Sequence, residues 1–325
     1  MPGDPSRGAP LRLQPVRIAV IGLGFMGATH ARAWQQVQGA HLTAVVSRDE
    51  RKLAGDLSGT EGNLGTGGGS IDLSAVRKYR ALDDALLDPE IDAVDLCMPT
   101  SLHFETVVRA LRAGKHVLVE KPLALEPEEA RALVEEAKAT GRVLMCAHVL
   151  RFFPAYVKAR EAIKTLGPVR GAFFRRRCAA PGWSDWLLDP ARSGGGAFDL
   201  LIHDVDYVRW LMGMPDHVTA DRLLDESRGI DLVTGILRYG DATVTITGGW
   251  QGFGESPFSA EFTIVYQGKV LESADLNEDG VDPFAMELAH FAHCVSEGRQ
   301  SDICPANESA DAVALMRRLL QEGGK

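Results

Sequence analysis

The chain of 325 residues is short of several things at once. It has five cysteines, Cys97, Cys146, Cys178, Cys294 and Cys304, with no C-x-x-C and no Cys/His cluster. Scattered and odd in number, they indicate neither a disulfide framework nor a zinc site, so no metal is expected. No apolar run reaches the roughly 18 residues that a bilayer span needs, so no membrane role is expected. Positive charge is not in excess: 35 Lys and Arg stand against 44 Asp and Glu, for a net charge of −9. With no long basic run, nucleic acid is disfavoured as a partner. The opening MPGDPSRGAPLRLQP lacks the apolar centre of a secretory signal and reads as a flexible leader over 1–15. Reduced thiols and no signal together predict a cytoplasmic protein. Composition is otherwise that of a globular chain, 45% hydrophobic and 24% charged, sufficient for one large or two ordinary domains.

What is present begins at Val16. Val16 to Ile21 form a β-branched, nearly all-apolar run, as expected of a strand buried on both faces. Gly22-Leu23-Gly24-Phe25-Met26-Gly27 follows and fits G-x-G-x-x-G, and Ala28 to Val37 read as helix. In such a layout Gly22 permits the turn, Gly24 lets a pyrophosphate approach the backbone, and Gly27 lets helix and strand pack closely. The helix N-terminus then meets the negative charge. A nicotinamide dinucleotide is expected, with FAD or a methyl donor as alternatives on the same fold.

Strand and helix patterns alternate to about residue 150. Strands are expected at Arg17–Ile21, Leu42–Ser47, Ala93–Met98, His116–Glu120 and Arg142–Ala147, with helices over Ser101–Ala113 and Pro127–Thr140. This predicts an α/β unit with a parallel sheet over 16–150. Gly55 to Ser70 has no period and reads as a mobile inserted loop. After Leu150 the period becomes two, in Val169–Arg177, Asp231–Tyr239, Ala242–Gly249 and Phe258–Tyr266. A second, α+β domain over 151–325 follows, with a large, mainly antiparallel sheet covered on one face. Its open face predicts a homodimer or homotetramer.

Ser47 and Arg48 end the second strand, where an acid would select NAD by binding the ribose 2′-hydroxyl. Ser47 repels no phosphate and Arg48 can pair with one, so NADP is favoured over NAD. Asp49 can turn to the ribose or cap the next helix. Pro99 and Thr100, with His103 opening a helix, are candidates for the nicotinamide ribose, at a strand end where an open α/β sheet holds its ligand. Glu120-Lys121-Pro122 places a lysine in the crevice, before a turn able to be cis. Its ammonium can meet charge developing on a substrate oxygen. Asp199 and His203, after Gly194-Gly195-Gly196, are i, i+4 and share a helix face. A carboxylate beside the imidazole would raise its pKa and orient it for acid–base work. Asp204 and Asp206 read as surface or packing groups. Arg151 can bind substrate or pair with an acid at the domain junction. Trp183 and Trp186 can stack on a sugar face or pack against the neighbouring domain. The run Arg175-Arg176-Arg177 reads as a solvated sheet edge.

Gly22–Gly27, Glu120-Lys121-Pro122 and Gly194–His203, in this order and at these separations, resemble the glucose–fructose oxidoreductase/inositol dehydrogenase family (Gfo/Idh/MocA). The likeness runs from Val16 through the closing pattern Pro283-Phe284, Glu287-Leu288, Phe291 and Gly298. It implies a Rossmann domain, a C-terminal open-sheet domain often used for oligomer contacts, and reversible oxidation of a secondary alcohol in a sugar, polyol or related ring. It assigns catalysis to Lys121, Asp199 and His203, and cofactor contacts to the glycine turn and to Glu120 and Lys121. The Gly55–Ser70 insertion and Ser47 depart from the family pattern. Two rivals stay open: a dinucleotide-bound sensor without catalysis, and a same-fold enzyme, such as a glycosidase, that recycles tightly held NAD.

Overall fold

The computed structural model describes residues 14–60, 62, 68–276 and 280–323, so most of the expected leader and residues 61 and 63–67 of the inserted loop lie outside it. The first sheet is built from β1 (Val16–Ile21), β2 (Ala40–Val46), β3 (Arg77–Tyr79), β4 (Ala93–Leu96), β5 (His116–Glu120) and β6 (Leu144–Ala147). Its order is β3-β2-β1-β4-β5-β6 and every pairing is parallel. β4 and β6 are buried at every residue, because helices cover both faces. The helices are α1 (Phe25–Trp34), α2 (Glu50–Leu53), α3 (Leu82–Leu87), α4 (His103–Arg112) and α5 (Pro127–Thr140). α5 starts on a proline and ends on Gly141 at φ +65°, the asymmetry that helix ends favour. Strand order reverses between β1 and β4, which opens a crevice beyond their C-terminal ends.

After α6 (Pro154–Glu161) and α7 (Ile163–Leu166) the chain builds a second sheet. Its strands are β7 (Val169–Cys178), β8 (His217–Asp225), β9 (Ile230–Tyr239), β10 (Ala242–Gln251), β11 (Ser259–Tyr266) and β12 (Val270–Glu272), in the order β12-β11-β7-β10-β9-β8. Only β7 and β10 pair in parallel. α8 (Asp185–Leu188), α9 (Pro190–Ser193) and α10 (Gly196–Met212) lie between β7 and β8, and α10 covers one face of the sheet. β8 escaped the sequence reading because it is an edge strand, with Leu223 and Leu224 exposed, and lacks a clean apolar alternation.

α11 (Pro283–Glu297) packs against the first sheet. Its Phe284, Leu288 and Phe291 share a core with Val16, Ile18, Val20 and the α1 residues Ala28 and Ala31. α12 (Ala306–Glu322) bridges α5 and α10. The expected mobile loop is anchored at both described ends: Leu57 is fully buried, and Asp56 and Ser70 form an antiparallel bridge.

Candidate active site

The glycine turn at the end of β1 is shaped by close approach. Gly22 has φ +93°, and a Cβ there would stand 2.4 Å from the Cys97 carbonyl oxygen. A Cβ on Gly27 would stand 1.8 Å from the Gly22 oxygen, so only glycine lets α1 pack against the turn. Gly24 differs: a Cβ there meets nothing within 4 Å. Gly24 is also the N-cap of α1, with no side chain satisfying the first N–H groups and no acid in the first turn. An open, donor-rich helix end fits a pyrophosphate.

A cleft of about 1180 Å³ opens from this turn and runs between the two sheets. Gly22, Gly24, Phe25, Met26, Cys97, Met98 and Pro99 line its first-sheet side. Glu120 and Lys121 stand at the middle, Asp199 and His203 face them from α10, and Trp183 and Trp186 lie toward the second sheet.

Lys121 is the hub. It precedes a cis peptide bond to Pro122. Its Nζ donates to Asp199 Oδ1 at 2.8 Å and to the Asp199 carbonyl at 2.9 Å. This ion pair ties the end of β5 to the first turn of α10. Asp231 helps to hold that turn, accepting from Ala197 N–H at 3.1 Å and from Arg222 Nε at 2.8 Å. The carboxylate of Asp199 therefore serves Lys121, and the expected pairing of Asp199 with His203 is not made. His203 is pushed the opposite way from the sequence expectation. Burial, reinforced by the Lys121 and Arg176 charges, holds its pKa well below 6.5. Its Nδ1 has no hydrogen-bond partner among the described residues. A neutral imidazole beside a fixed ammonium can accept a proton from a hydroxyl that the ammonium polarises.

Behind Glu120 lies a buried chain of polar groups. Glu120 Oε2 accepts from Lys121 N–H at 3.0 Å, and Oε1 lies 3.1 Å from His30 Nε2. His30 Nδ1 lies 2.9 Å from Asp95 Oδ2, which also accepts from Trp34 Nε1 at 2.7 Å. Burial disfavours charge on His30, yet Asp95 and Cys97 drive its pKa well above 6.5. His30 thus sits between Asp95 and Glu120, bonded to Asp95 through Nδ1, with no hydrogen bond made by its Nε2 among the described residues. Glu287 is buried nearby with both oxygens unpartnered among the described residues, and burial pushes its pKa well up.

Comparison with known proteins supplies the family. The model of an oxidoreductase family with an NAD-binding Rossmann fold (GFO_IDH_MocA) matches residues 16–148, and the GFO/IDH/MocA C-terminal domain matches 156–268. The chain belongs to the GFO/IDH/MocA family. Myo-inositol 2-dehydrogenase of Thermotoga maritima is 31% identical over 69% of this chain, which spans 65% of that protein. The scyllo-inositol 2-dehydrogenase (NAD(+)) of Bacillus subtilis is 30% identical over 87% of each chain. A crystal structure of scyllo-inositol dehydrogenase from Lactobacillus casei, with bound NAD(H) and scyllo-inositol, shares the fold at a TM-score of 0.78, with 20% identity over 95% of this chain and 96% of that one.

Within this family frame several sequence readings change. His103 does not line the cleft. It is fully buried, with Nδ1 2.8 Å from the Pro122 carbonyl and Nε2 3.0 Å from the Met98 carbonyl, so it joins the ends of two strands. Thr100 is buried behind Pro99, away from the cleft lining. Arg151 is not in the cleft either. It is buried against Asp206 at 2.7 Å and Glu308 at 2.6 Å, the junction pairing that its sequence context left open. Arg176 is no solvated edge: it is 4% exposed, donates to Asp204 at 2.9 Å and to Tyr156 Oη at 3.1 Å, and borders the cleft. Period-two alternation with Ala172, Phe174 and Cys178 carried that signal. Asp204 and Asp206 are consequently buried ion-pair partners. Ser47 accepts from Asp49 N–H at 3.1 Å, Arg48 is exposed, and Asp49 caps α2 through Arg51 N–H. Thr60 and Gly62, from the inserted loop, were missed as cleft residues. His30 was missed too, although it stands three residues beyond the last glycine of the motif.

Proposed function

We propose that this chain is an NAD(P)-dependent dehydrogenase that moves hydride between nicotinamide and a secondary alcohol or ketone of a sugar, polyol or related ring. The Lys121–Asp199 ion pair, standing with neutral His203 at the strand ends beside the open Gly24 turn, is the observation that carries this reading. Gly22, Gly24, Phe25 and Met26 would hold the pyrophosphate side, with Met98, Pro99 and Glu120 toward the nicotinamide. The bound nicotinamide supplies the acceptor or donor of hydride. Lys121 donates to the substrate oxygen, His203 takes the hydroxyl proton on a ring nitrogen, and Asp199 holds Lys121 in place. Trp183 and Trp186 border the substrate end. The uncharged Ser47, the exposed Arg48 and an Asp49 already engaged in capping favour NADP, with NAD as the alternative. The exposed face of the second sheet, where Phe173 is 58% exposed, would pair copies into a homodimer or homotetramer, and five unbridged cysteines fit a cytoplasmic setting. Among the described residues no helix is long and apolar enough to cross a membrane.

The test is fluorescence titration with NADPH and NADH, followed by nicotinamide absorbance with polyols, sugars and keto-sugars. Binding with turnover supports the enzyme. Binding with no turnover of any member moves the reading to a sensor, or to an enzyme that recycles its cofactor.

A further inference from the structure

Behind Lys121 and His203 stands a second imidazole that the proposed reaction leaves unused. β5 and β6 run in parallel with Glu120 opposite Ala147, so the next residue of each, Lys121 and His148, stand side by side at the strand ends. α10 faces both with one stripe, since Asp199, His203 and Asp206 follow at i, i+4 and i+7. Lys121 Nζ is 2.8 Å from Asp199 Oδ1 at one end of the stripe, and His148 Nδ1 is 3.5 Å from Asp206 Oδ2 at the other. His203 lies on the stripe between these two contacts. His148 is 2% exposed and is no part of the cleft lining. Neither of its ring nitrogens has a hydrogen-bond partner among the described residues. Leaving both bare costs stability, so packing alone does not account for a histidine at this position.

The two imidazoles meet opposite charge. The charged groups acting on His203 are Lys121 and Arg176, and His148 disfavours its protonation as well. His148 faces Arg151 and Lys121 but also the carboxylates of Asp206 and Glu120. Arg151 fixes Asp206 with bonds of 2.9 and 2.7 Å, so that carboxylate stays beside the ring. A proton left on His203 is repelled by two fixed cations, whereas on His148 it gains a carboxylate. The buried nitrogen of His203 is Nδ1, which leaves Nε2 for the substrate hydroxyl.

We propose that His148 is the second station of a proton relay and receives, through His203, the proton that the alcohol releases. The substrate O–H bond breaks and its proton goes to His203 Nε2. The proton already on His203 Nδ1 passes to His148, and the carbinol hydride goes to the nicotinamide. His148 then holds the charge against Asp206, and the proton returns through His203 to the open cleft after product leaves. The step between the rings needs them to close to hydrogen-bond distance or to share one water. This inference rests on the hydride-transfer reading for the source of the proton.

The experiment compares the full chain with His148→Leu and His148→Gln. The ring nitrogens of isotope-labelled histidine are read by NMR in the NADH-saturated protein at neutral pH. His203 Nδ1 should carry the ring proton, and its resonance should move in both variants, which lack an imidazole to receive it. Oxidation is then followed in mixtures of light and heavy water, with whichever of myo-inositol, glucose and xylose is turned over. Two protons in flight should give the unmodified chain a bowed dependence of the hydride-transfer rate on deuterium fraction. Both variants should give a straight line and a rate lowered roughly tenfold or more, with KM and NADH binding little changed. The melting temperature of His148→Leu should hold or rise, because two bare buried nitrogens are removed. A purely structural His148 predicts the opposite: lower melting temperatures in the variants and a straight line in the unmodified chain. That result, an unchanged rate in both variants, or a His203 resonance indifferent to them overturns the inference. Absence of turnover with all three compounds counts against the hydride reading alone, and the His203 resonance then decides the relay.

Discussion

The two walls of the cleft are made by different means. The first-sheet wall is backbone: a glycine turn, an open helix end and the tips of β4 and β5. The facing wall is side chain: aromatic rings over buried ion pairs, Arg176 on Asp204 and, behind it, Arg151 on Asp206. Lys121 and Asp199 tie the two together. A wall made of backbone tolerates few residue types at each position and leaves a spaced motif. A wall made of side chains needs only shape and paired charge, which many residues can provide.

The sharpest break of this comparison comes from the buried pairs. Arg151→Leu leaves Asp206, 1% exposed at its side chain, without its guanidinium. The expected loss is about 3–5 kcal/mol of stability, because a buried carboxylate is left uncompensated. Urea denaturation measures it, and an unchanged midpoint would show that the junction does not depend on this pair.

Lys121→Ala should lower kcat by about 10²–10³ while NADH titration stays near normal, since the ammonium acts on the developing charge. Full activity in this variant, or in His203→Ala, would remove the assigned roles.

The glycines separate packing from binding. Gly27→Ala puts a methyl group against the Gly22 oxygen and should destabilise the fold. Gly24→Ala has free space and should leave the melting temperature near wild type, yet weaken NADH binding where the pyrophosphate approaches. Equal melting losses in both would contradict a backbone-made cradle.

Acid pH tests the buried imidazoles. Burial lowers His148 to about 4, from 6.5 in the unfolded chain. Between these values the unfolded state binds more protons, so unfolding free energy falls as pH drops from 6.5 toward 4. His203, held neutral well below 6.5, should keep kcat/KM for alcohol oxidation level as pH is lowered through 6.5. A fall centred there would show an ordinary, exposed histidine.

The smallest effect is at the rim. Arg48→Ala should weaken NADPH binding several-fold, leave NADH binding unchanged and shift no melting temperature, because Arg48 is exposed. Equal losses for both cofactors would remove it as a phosphate partner.

Most of the first sheet was legible because its strands are apolar at consecutive positions and its helices have clear periods. The sheet also repeats a common order, so the motif located the crevice. Less of the facing half could be read. The run Arg175-Arg176-Arg177 looks alike in one dimension, yet the pleat sends Arg176 into the core and leaves Arg175 outside. Asp199 and His203 share a helix face in sequence, but the carboxylate is claimed by Lys121, which lies 78 residues earlier. The return of α11 to β1 left no local mark, since an amphipathic helix does not state what it covers.

By itself, the sequence determined the dinucleotide turn, the parallel sheet and the presence of Lys121, Asp199 and His203, because backbone geometry at those points admits few residues. The tertiary structure alone decided the partners: Asp199 with Lys121, His30 between Asp95 and Glu120, Arg151 and Arg176 as buried cations, and His203 kept neutral. Charge state and pairing depend on burial and on groups brought from distant parts of the chain, and no local spacing encodes them.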